Sequence, residues 1–168
     1  VAEAAERLKR ASRPIIVADI ELHRHGLTGL VMDIAKKFNI PIAATLLSKS
    51  VVPENNPLYI GVYSGGLSEP AVQEYMDTSD CVLLLGAFIT DVFLGMNTVK
   101  LDRRKAIMVN TEKARVGLHT YENVLLRDFL TGLLGADVAP KTFVNPNPRT
   151  EAEPLADTEL SDALDAES

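Results

Sequence analysis

Apolar runs alternate along the chain with stretches in which apolar residues recur every three or four positions. Residues 2–11 carry Ala4, Ala5, Leu8 and Ala11 on one helical face, and Pro14 ends that helix. Residues 15–18 (IIVA) read as a strand buried on both faces. Leu27, Leu30, Val31, Ile34, Ala35 and Phe38 follow at helical spacing. Asn39 suits a left-handed helix end there, and Pro41 forbids continuation. A second short strand is predicted over 41–45. Residues 48–66 are turn-rich, with Pro53, Asn55, Asn56, Pro57, Gly61, Gly65 and Gly66. Ser68 has the chemistry of an N-cap for a helix over 69–77, with Pro70 tolerated in its first turn. Residues 81–85 (CVLLL) form the most apolar run and predict a central strand. Further strands are predicted over 106–109 and, as an edge, over 116–119. A last helix is expected over 124–134, with Gly135 as its C-cap.

Strands with continuous apolar character, separated by helices, point to a parallel sheet covered on both faces. The predicted fold class is α/β, a three-layer Rossmann-like sandwich with a mainly parallel sheet of about five or six strands. Its crossovers should be right-handed.

The 168 residues are 46% apolar and 24% charged, enough to bury a full core without a disulfide or metal staple. The single cysteine, Cys81, excludes a disulfide framework and a multi-cysteine zinc site. The net charge of -6 is concentrated at one end: residues 151–168 hold seven acids and no base, leaving 16 acids against 17 bases in the body. A near-neutral body lacks the basic footprint of a nucleic-acid binder. No apolar run approaches the ~20 residues that span a bilayer. Pro146, Pro148 and Pro154 accompany the acidic end. Residues 1–138 are therefore expected to form one domain. Residues 139–168 are expected to be a Pro-containing acidic linker, disordered or leading to a following domain. The beginning at VAEAAERLKR, without Met or a signal pattern, suggests a segment of a longer protein.

In sheets of this kind ligands sit beyond the carboxyl ends of the strands. Asp19 and Glu21, Ser48 and Lys49, Gly86 and Ala87, and Asn110 and Glu112 should gather there as a vestigial nucleotide cleft. The first turn, ADIELHRHGL, lacks the GxGxxG that lets a dinucleotide pyrophosphate approach the backbone. The stretch GVYSGGLS sets two glycines ahead of a helix, which can cradle phosphate or simply turn the chain. His23 and His25 form an HxH pair with no third ligand evident, so no metal site is assigned. Cys81 opens a buried strand, where a thiol acts as a small hydrophobe. No set of nucleophile, base and orienting group is visible, and no catalytic residue is assigned.

Three runs, RPIIVADIELHRHGL, NIPIAATLLSKSVVPENNPLYIGVYSGG and SDCVLLLGAFITDVFLG, resemble in order the central domain of thiamin diphosphate-dependent 2-oxo acid decarboxylases. The resemblance is greatest to the pyruvate, indolepyruvate and phenylpyruvate decarboxylase group, over about residues 1–135. It implies a parent enzyme that uses thiamin diphosphate and magnesium to convert a 2-oxo acid to an aldehyde and carbon dioxide. The cofactor's motifs, an activating glutamate, paired histidines and a GDG-to-Asn sequence, belong to the family's first and third domains and are absent here. The segment is then non-catalytic, binds no cofactor itself, and has the N- and C-terminal cofactor-binding domains as partners in a homo-oligomeric, cytoplasmic parent. The resemblance also places Thr90, Asp91, Phe93, Gly95 and Asn97 on a loop that borders the active site as a lid. Packing beneath a neighbouring domain is the alternative for that loop. The alternative for the whole chain is a self-standing FAD- or ADP-binding Rossmann-like module, against which the missing glycine signature counts.

Overall fold

The computed structural model describes residues 1–49, 51–87 and 102–148. Seven strands form one sheet. They are β1 (Pro14–Ala18), β2 (Ile42–Thr45), β3 (Tyr59–Tyr63), β4 (Cys81–Leu85), β5 (Ala106–Val109), β6 (Lys113–Val116) and β7 (His119–Glu122). The helices are α1 (Ala2–Arg10), α2 (Ile20–Arg24), α3 (Thr28–Phe38), α4 (Pro70–Thr78) and α5 (Leu126–Leu134). The strand order is β3-β2-β1-β4-β5-β6-β7. The first five are mutually parallel, and β6 and β7 add an antiparallel hairpin. The predicted α/β sandwich holds, with a sheet wider than the expected five or six strands.

The alternation of side chains along each strand assigns the two faces. Ile16, Ala18, Ile42, Ala44, Leu83, Leu85 and Ile107 point to the layer of α1, α2, α3 and α5. Ile15, Val17, Ala43, Val82 and Leu84 point to α4. Phe38 and Phe129 are fully buried between sheet and helices. Each contributes about 1.5–3 kcal/mol by leaving water. Helix α3 buries Val31, Ile34, Ala35 and Phe38 and stops at Asn39, whose φ is 50°. The Ile40 N–H then bonds back to the Ala35 carbonyl at 2.9 Å, satisfying an otherwise orphaned helix end.

Four local expectations are corrected. First, the turn-rich stretch 48–66 contains β3. Its pattern is obscured by Gly61, at φ 130°, and by a register shift between Ile42 and Ala43. Second, α2 occupies what read as a plain turn. Third, Ser68 does not cap α4. Its hydroxyl accepts from the Ser64 N–H at 2.8 Å and donates to the Gly65 carbonyl at 2.7 Å, so Glu69 takes the N-cap position. Fourth, the single edge strand over 116–119 is the turn of the β6–β7 hairpin, made at Gly117, whose φ is 60°.

Residues 139–148, which the sequence assigns to the linker, lie against the body. The Lys141 N–H bonds to the Phe38 carbonyl at 2.7 Å, and its ammonium donates to the Lys9 and Ala11 carbonyls at 3.0 and 2.8 Å. The Asn145 amide donates to the Pro57 and Tyr59 carbonyls at 2.9 and 3.0 Å, and the Asn147 amide to the Ile60 carbonyl at 2.9 Å. These side chains shield one edge of the sheet, which would otherwise offer unpaired backbone groups. Phe143 meets the Tyr75 ring edge-on, with centroids 5.9 Å apart.

Candidate functional site

The site predicted by topology lies where β1 and β4 are adjacent and their crossovers run in opposite directions. There seven of the eight sequence-predicted residues separate into two groups, and Lys49 joins neither. Asp19, Ser48 and Gly86 belong to the internal structure of the sheet's carboxyl end. Asp19 caps α2, its Oδ1 accepting from the Ile20 N–H at 2.8 Å. The same oxygen accepts from the Thr45 hydroxyl at 2.5 Å. The Ser48 hydroxyl donates to the Ala18 carbonyl at 2.6 Å and accepts from the Thr45 N–H at 2.9 Å. Asp19, Thr45 and Ser48 are each no more than 1% exposed. They tie the ends of β1 and β2 together and are buried from solvent.

Gly86 performs a different packing task. Its φ is 67°, and a Cβ there would stand 2.9 Å from the Leu22 nitrogen and 3.2 Å from the Glu21 Cβ. The Gly86 carbonyl accepts from the Glu21 N–H at 3.3 Å. Helix α2 therefore rests directly on the backbone that leaves β4, in the place where a phosphate-binding turn would need space.

Glu21, Ala87 and Asn110 line an open cleft of 530 Å³, together with Met108, Lys113, Arg115 and Thr120. Glu21, Asn110 and Glu112 also border an adjoining depression of 420 Å³. Lys49 is exposed and lines neither. One Glu21 oxygen, Oε2, is buried without a hydrogen-bond partner among the described residues. Lys113 pairs with Glu122 across the hairpin at 2.9 Å. Sequence reasoning missed Lys113 and Arg115, because they reach the cleft only through the β6–β7 hairpin. The signal was available in KARV and HTYE, two short polar–apolar stretches around Gly117. Thr90, Asp91, Phe93, Gly95 and Asn97 lie outside the described residues.

The histidines and the cysteine line neither of these depressions. His23 and His25 are exposed, and His25 Nε2 lies 3.3 Å from the Thr111 hydroxyl. His119 Nδ1 meets the Glu3 carboxylate at 3.0 and 3.1 Å, and the Tyr121 hydroxyl donates to it at 2.5 Å. These hydrogen bonds, Tyr121 first, hold the Glu3 carboxyl below its ordinary range. Burial pushes the Cys81 thiol up to about 12, far from a nucleophile's range. A groove beside α1 also measures 530 Å³. It lies away from the carboxyl ends of the strands, and its Asp80 accepts from the Ser12 and Arg13 N–H groups at 2.7 and 2.9 Å. Among the described residues, no group of three or more His, Cys, Asp or Glu side chains is placed to hold a metal ion. No helix among them is long and apolar enough to cross a membrane.

Residues 1–129 match the family described as thiamine pyrophosphate enzyme, central domain. The chain is similar to a pyruvate decarboxylase of Candida albicans, 30% identical over 148 residues, covering 88% of this chain and 26% of that protein. It is also similar to an indole-3-pyruvate decarboxylase of Azospirillum brasilense, 24% identical, covering 96% of this chain and 31% of that protein. The X-ray structure of an enzyme from Mycobacterium smegmatis, assigned as thiamin diphosphate-dependent, superposes with a TM-score of 0.60 at 23% identity. It covers 89% of this chain and 30% of that one. The chain thus spans a quarter to a third of the length of these relatives.

Proposed function

The chain belongs to the central-domain family of thiamine pyrophosphate enzymes, and from that premise we propose that it is the non-catalytic middle domain of a cytoplasmic 2-oxo acid decarboxylase. The parent would act on a pyruvate, indolepyruvate or phenylpyruvate type of acid and release an aldehyde and carbon dioxide. In this reading residues 1–138 form the domain, residues 139–148 pack against it, and the segment after them leads to the next one. The observation that carries the reading is the match over residues 1–129 to a family whose similar members here are pyruvate and indole-3-pyruvate decarboxylases.

The resemblance assigns the cofactor's motifs to the family's first and third domains, and this sequence carries none of them. Thiamin diphosphate, which supplies the electron sink when bound, and magnesium are therefore assigned to other domains of the parent. This chain's own task is positional. It joins those domains and contributes to subunit contacts in a homo-oligomer. The resemblance supports a lid role for Thr90, Asp91, Phe93, Gly95 and Asn97. Asp91→Ala in the longer enzyme should then lower turnover, and unchanged turnover removes Asp91 from that role.

A thermal-shift panel on the 168-residue chain tests the non-catalytic assignment. Thiamin diphosphate with magnesium, FAD, ADP, pyruvate and phenylpyruvate should each leave Tm unchanged. A rise of several degrees with any of them would show that the segment holds a ligand by itself.

A further inference from the structure

We propose that strand β7 is a pairing edge for a second copy of this chain. The two β7 strands meet antiparallel about a twofold axis, with Tyr121 opposite Tyr121 of the second copy. This names a surface for the subunit contacts of the reading above and rests on the homo-oligomer in it. The two edges of the sheet differ. At β3 the Asn145 and Asn147 amides take up backbone carbonyls. At the other edge, among the described residues, β7 pairs with β6 alone, and all four of its residues are exposed. The ladder shows which way its backbone points. The Gly117 N–H bonds to the Ala106 carbonyl at 2.8 Å, and the Lys113 carbonyl accepts from the Asn110 N–H at 3.0 Å. Residues 113, 115 and 117 therefore face β5, leaving Ala114 and Val116 to bond with their partners Tyr121 and His119. Thr120 and Glu122 then direct their N–H and carbonyl groups away from the sheet, a template for a further strand.

Charge selects the occupant and its register. Glu122 pairs with Lys113 at 2.9 Å, and Thr120 stands opposite Arg115 on the same face. Among the described residues Arg115 forms no ion pair, and its guanidinium donates to the Met108 sulfur at 2.7 Å. With Tyr121 on the axis, Thr120 of each copy exchanges both backbone hydrogen bonds with Glu122 of the other. Glu122 of the second copy joins the row of Thr120 and Arg115 and brings the carboxylate that Arg115 lacks. No like charges stand opposite one another. Centring the pair on Glu122 would set two carboxylates face to face, which is destabilising. Centring it on Thr120 would put Glu122 opposite Leu118, in the turn. The contact is isologous, one patch used twice. Four residues of edge bury less than the ~800 Å² per partner of a stable complex, so the 168-residue chain should pair only at high concentration.

Disulfide trapping reads the register. Opposite residues of a non-hydrogen-bonded pair have Cα atoms ~4.5 Å apart, within disulfide reach. Thr120 of the two copies would be ~8–9 Å apart, beyond the ~7 Å limit. Under mild oxidation Tyr121→Cys should therefore give at least ~10-fold more covalent dimer than Thr120→Cys, in the concentrated 168-residue chain and in the longer polypeptide that carries it. Cys81 is buried and gives little background. Thr120→Pro removes an outward N–H that the single chain does not use, so in the Tyr121→Cys background it should keep Tm and abolish the dimer. Equal trapping of the two cysteines, or trapping that survives Thr120→Pro, would overturn the proposal. So would a longer polypeptide that is oligomeric by light scattering and gives no Tyr121→Cys dimer. The enzyme reading fails separately, as absence of 2-oxo acid decarboxylation in a longer polypeptide that still traps Tyr121→Cys.

Discussion

Replacing Thr45 by Val keeps the volume of the side chain and removes one hydroxyl from the sealed end of the sheet. Each hydroxyl has one proton. The Thr45 proton goes to Asp19 Oδ1 at 2.5 Å, and the Ser48 proton goes to the Ala18 carbonyl at 2.6 Å. The 2.9 Å contact between the two hydroxyl oxygens is then close packing, with no proton left to share. The substitution thus deletes one buried hydrogen bond. Such a deletion costs ~1–3 kcal/mol when the partner left behind stays out of water. Asp19 keeps the Ile20 N–H, and Ser48 keeps the Thr45 N–H and the Ala18 carbonyl. Neither group is fully orphaned, so the middle of that range, ~2 kcal/mol, is expected. For a chain of this size that is a fall of ~4–8 °C in Tm. The sequence holds no Trp, so urea unfolding should be followed by far-ultraviolet circular dichroism. The slope with urea should match that of the wild type, placing the loss in stability and not in the unfolded state. A loss below ~0.5 kcal/mol, the ordinary range of a surface change, would refute the view that this network holds the end of the sheet.

Three further outcomes follow from the geometry. Gly86→Ala places a Cβ 2.9 Å from the Leu22 nitrogen at φ 67°. It should cost about 2 kcal/mol or more by displacing α2, and a neutral unfolding midpoint would contradict the close approach. The Cys81 thiol rises from 9.0 to about 12 in the fold, chiefly through burial. Below pH 9 both states keep the proton; above it the unfolded chain ionises first. Stability should therefore fall by up to ~1.4 kcal/mol per pH unit above 9, and Cys81→Ala should flatten that limb in urea titrations at pH 8 and 10. Tyr63, pushed up to about 12 by burial, adds to the same alkaline fall above its ordinary value of 10. Tyr121→Phe removes the strongest hydrogen bond to Glu3 and should raise the Glu3 carboxyl in an NMR titration. Glu3 favours the fold above 4.5 and loses that contribution as pH falls through its lowered value, so the variant should lose less on acidification.

The legible parts of the fold are those whose signals are local. Strands β1 and β4 are buried along their whole length, so IIVA and CVLLL read plainly as parallel-sheet strands. Helix α3 showed its apolar stripe, its left-handed Asn39 and the barrier of Pro41. The illegible parts depend on remote partners. Strand β3 contains Gly61 at a register shift, which only its pairing with β2 makes a strand. Strand β7 is exposed at all four residues and exists through β6. Helix α2 has five residues and one buried side chain, Leu22, too short for any periodicity. The candidate cleft shows the same division. Topology placed Asp19, Ser48 and Gly86 correctly at the carboxyl ends of the strands, but their residue types alone did not show that they face inward. Lys113 and Arg115 came to the cleft by a hairpin whose strands read as one.

The most direct test of the account is a decarboxylation assay on the longer polypeptide that carries this segment, run beside the 168-residue chain. Pyruvate, indolepyruvate and phenylpyruvate would each be supplied with and without thiamin diphosphate and magnesium, and the aldehyde measured. The account predicts aldehyde from at least one acid, only with the cofactor, and only from the longer polypeptide. Turnover by the 168-residue chain alone, or none from a folded and cofactor-supplied longer polypeptide, would contradict it.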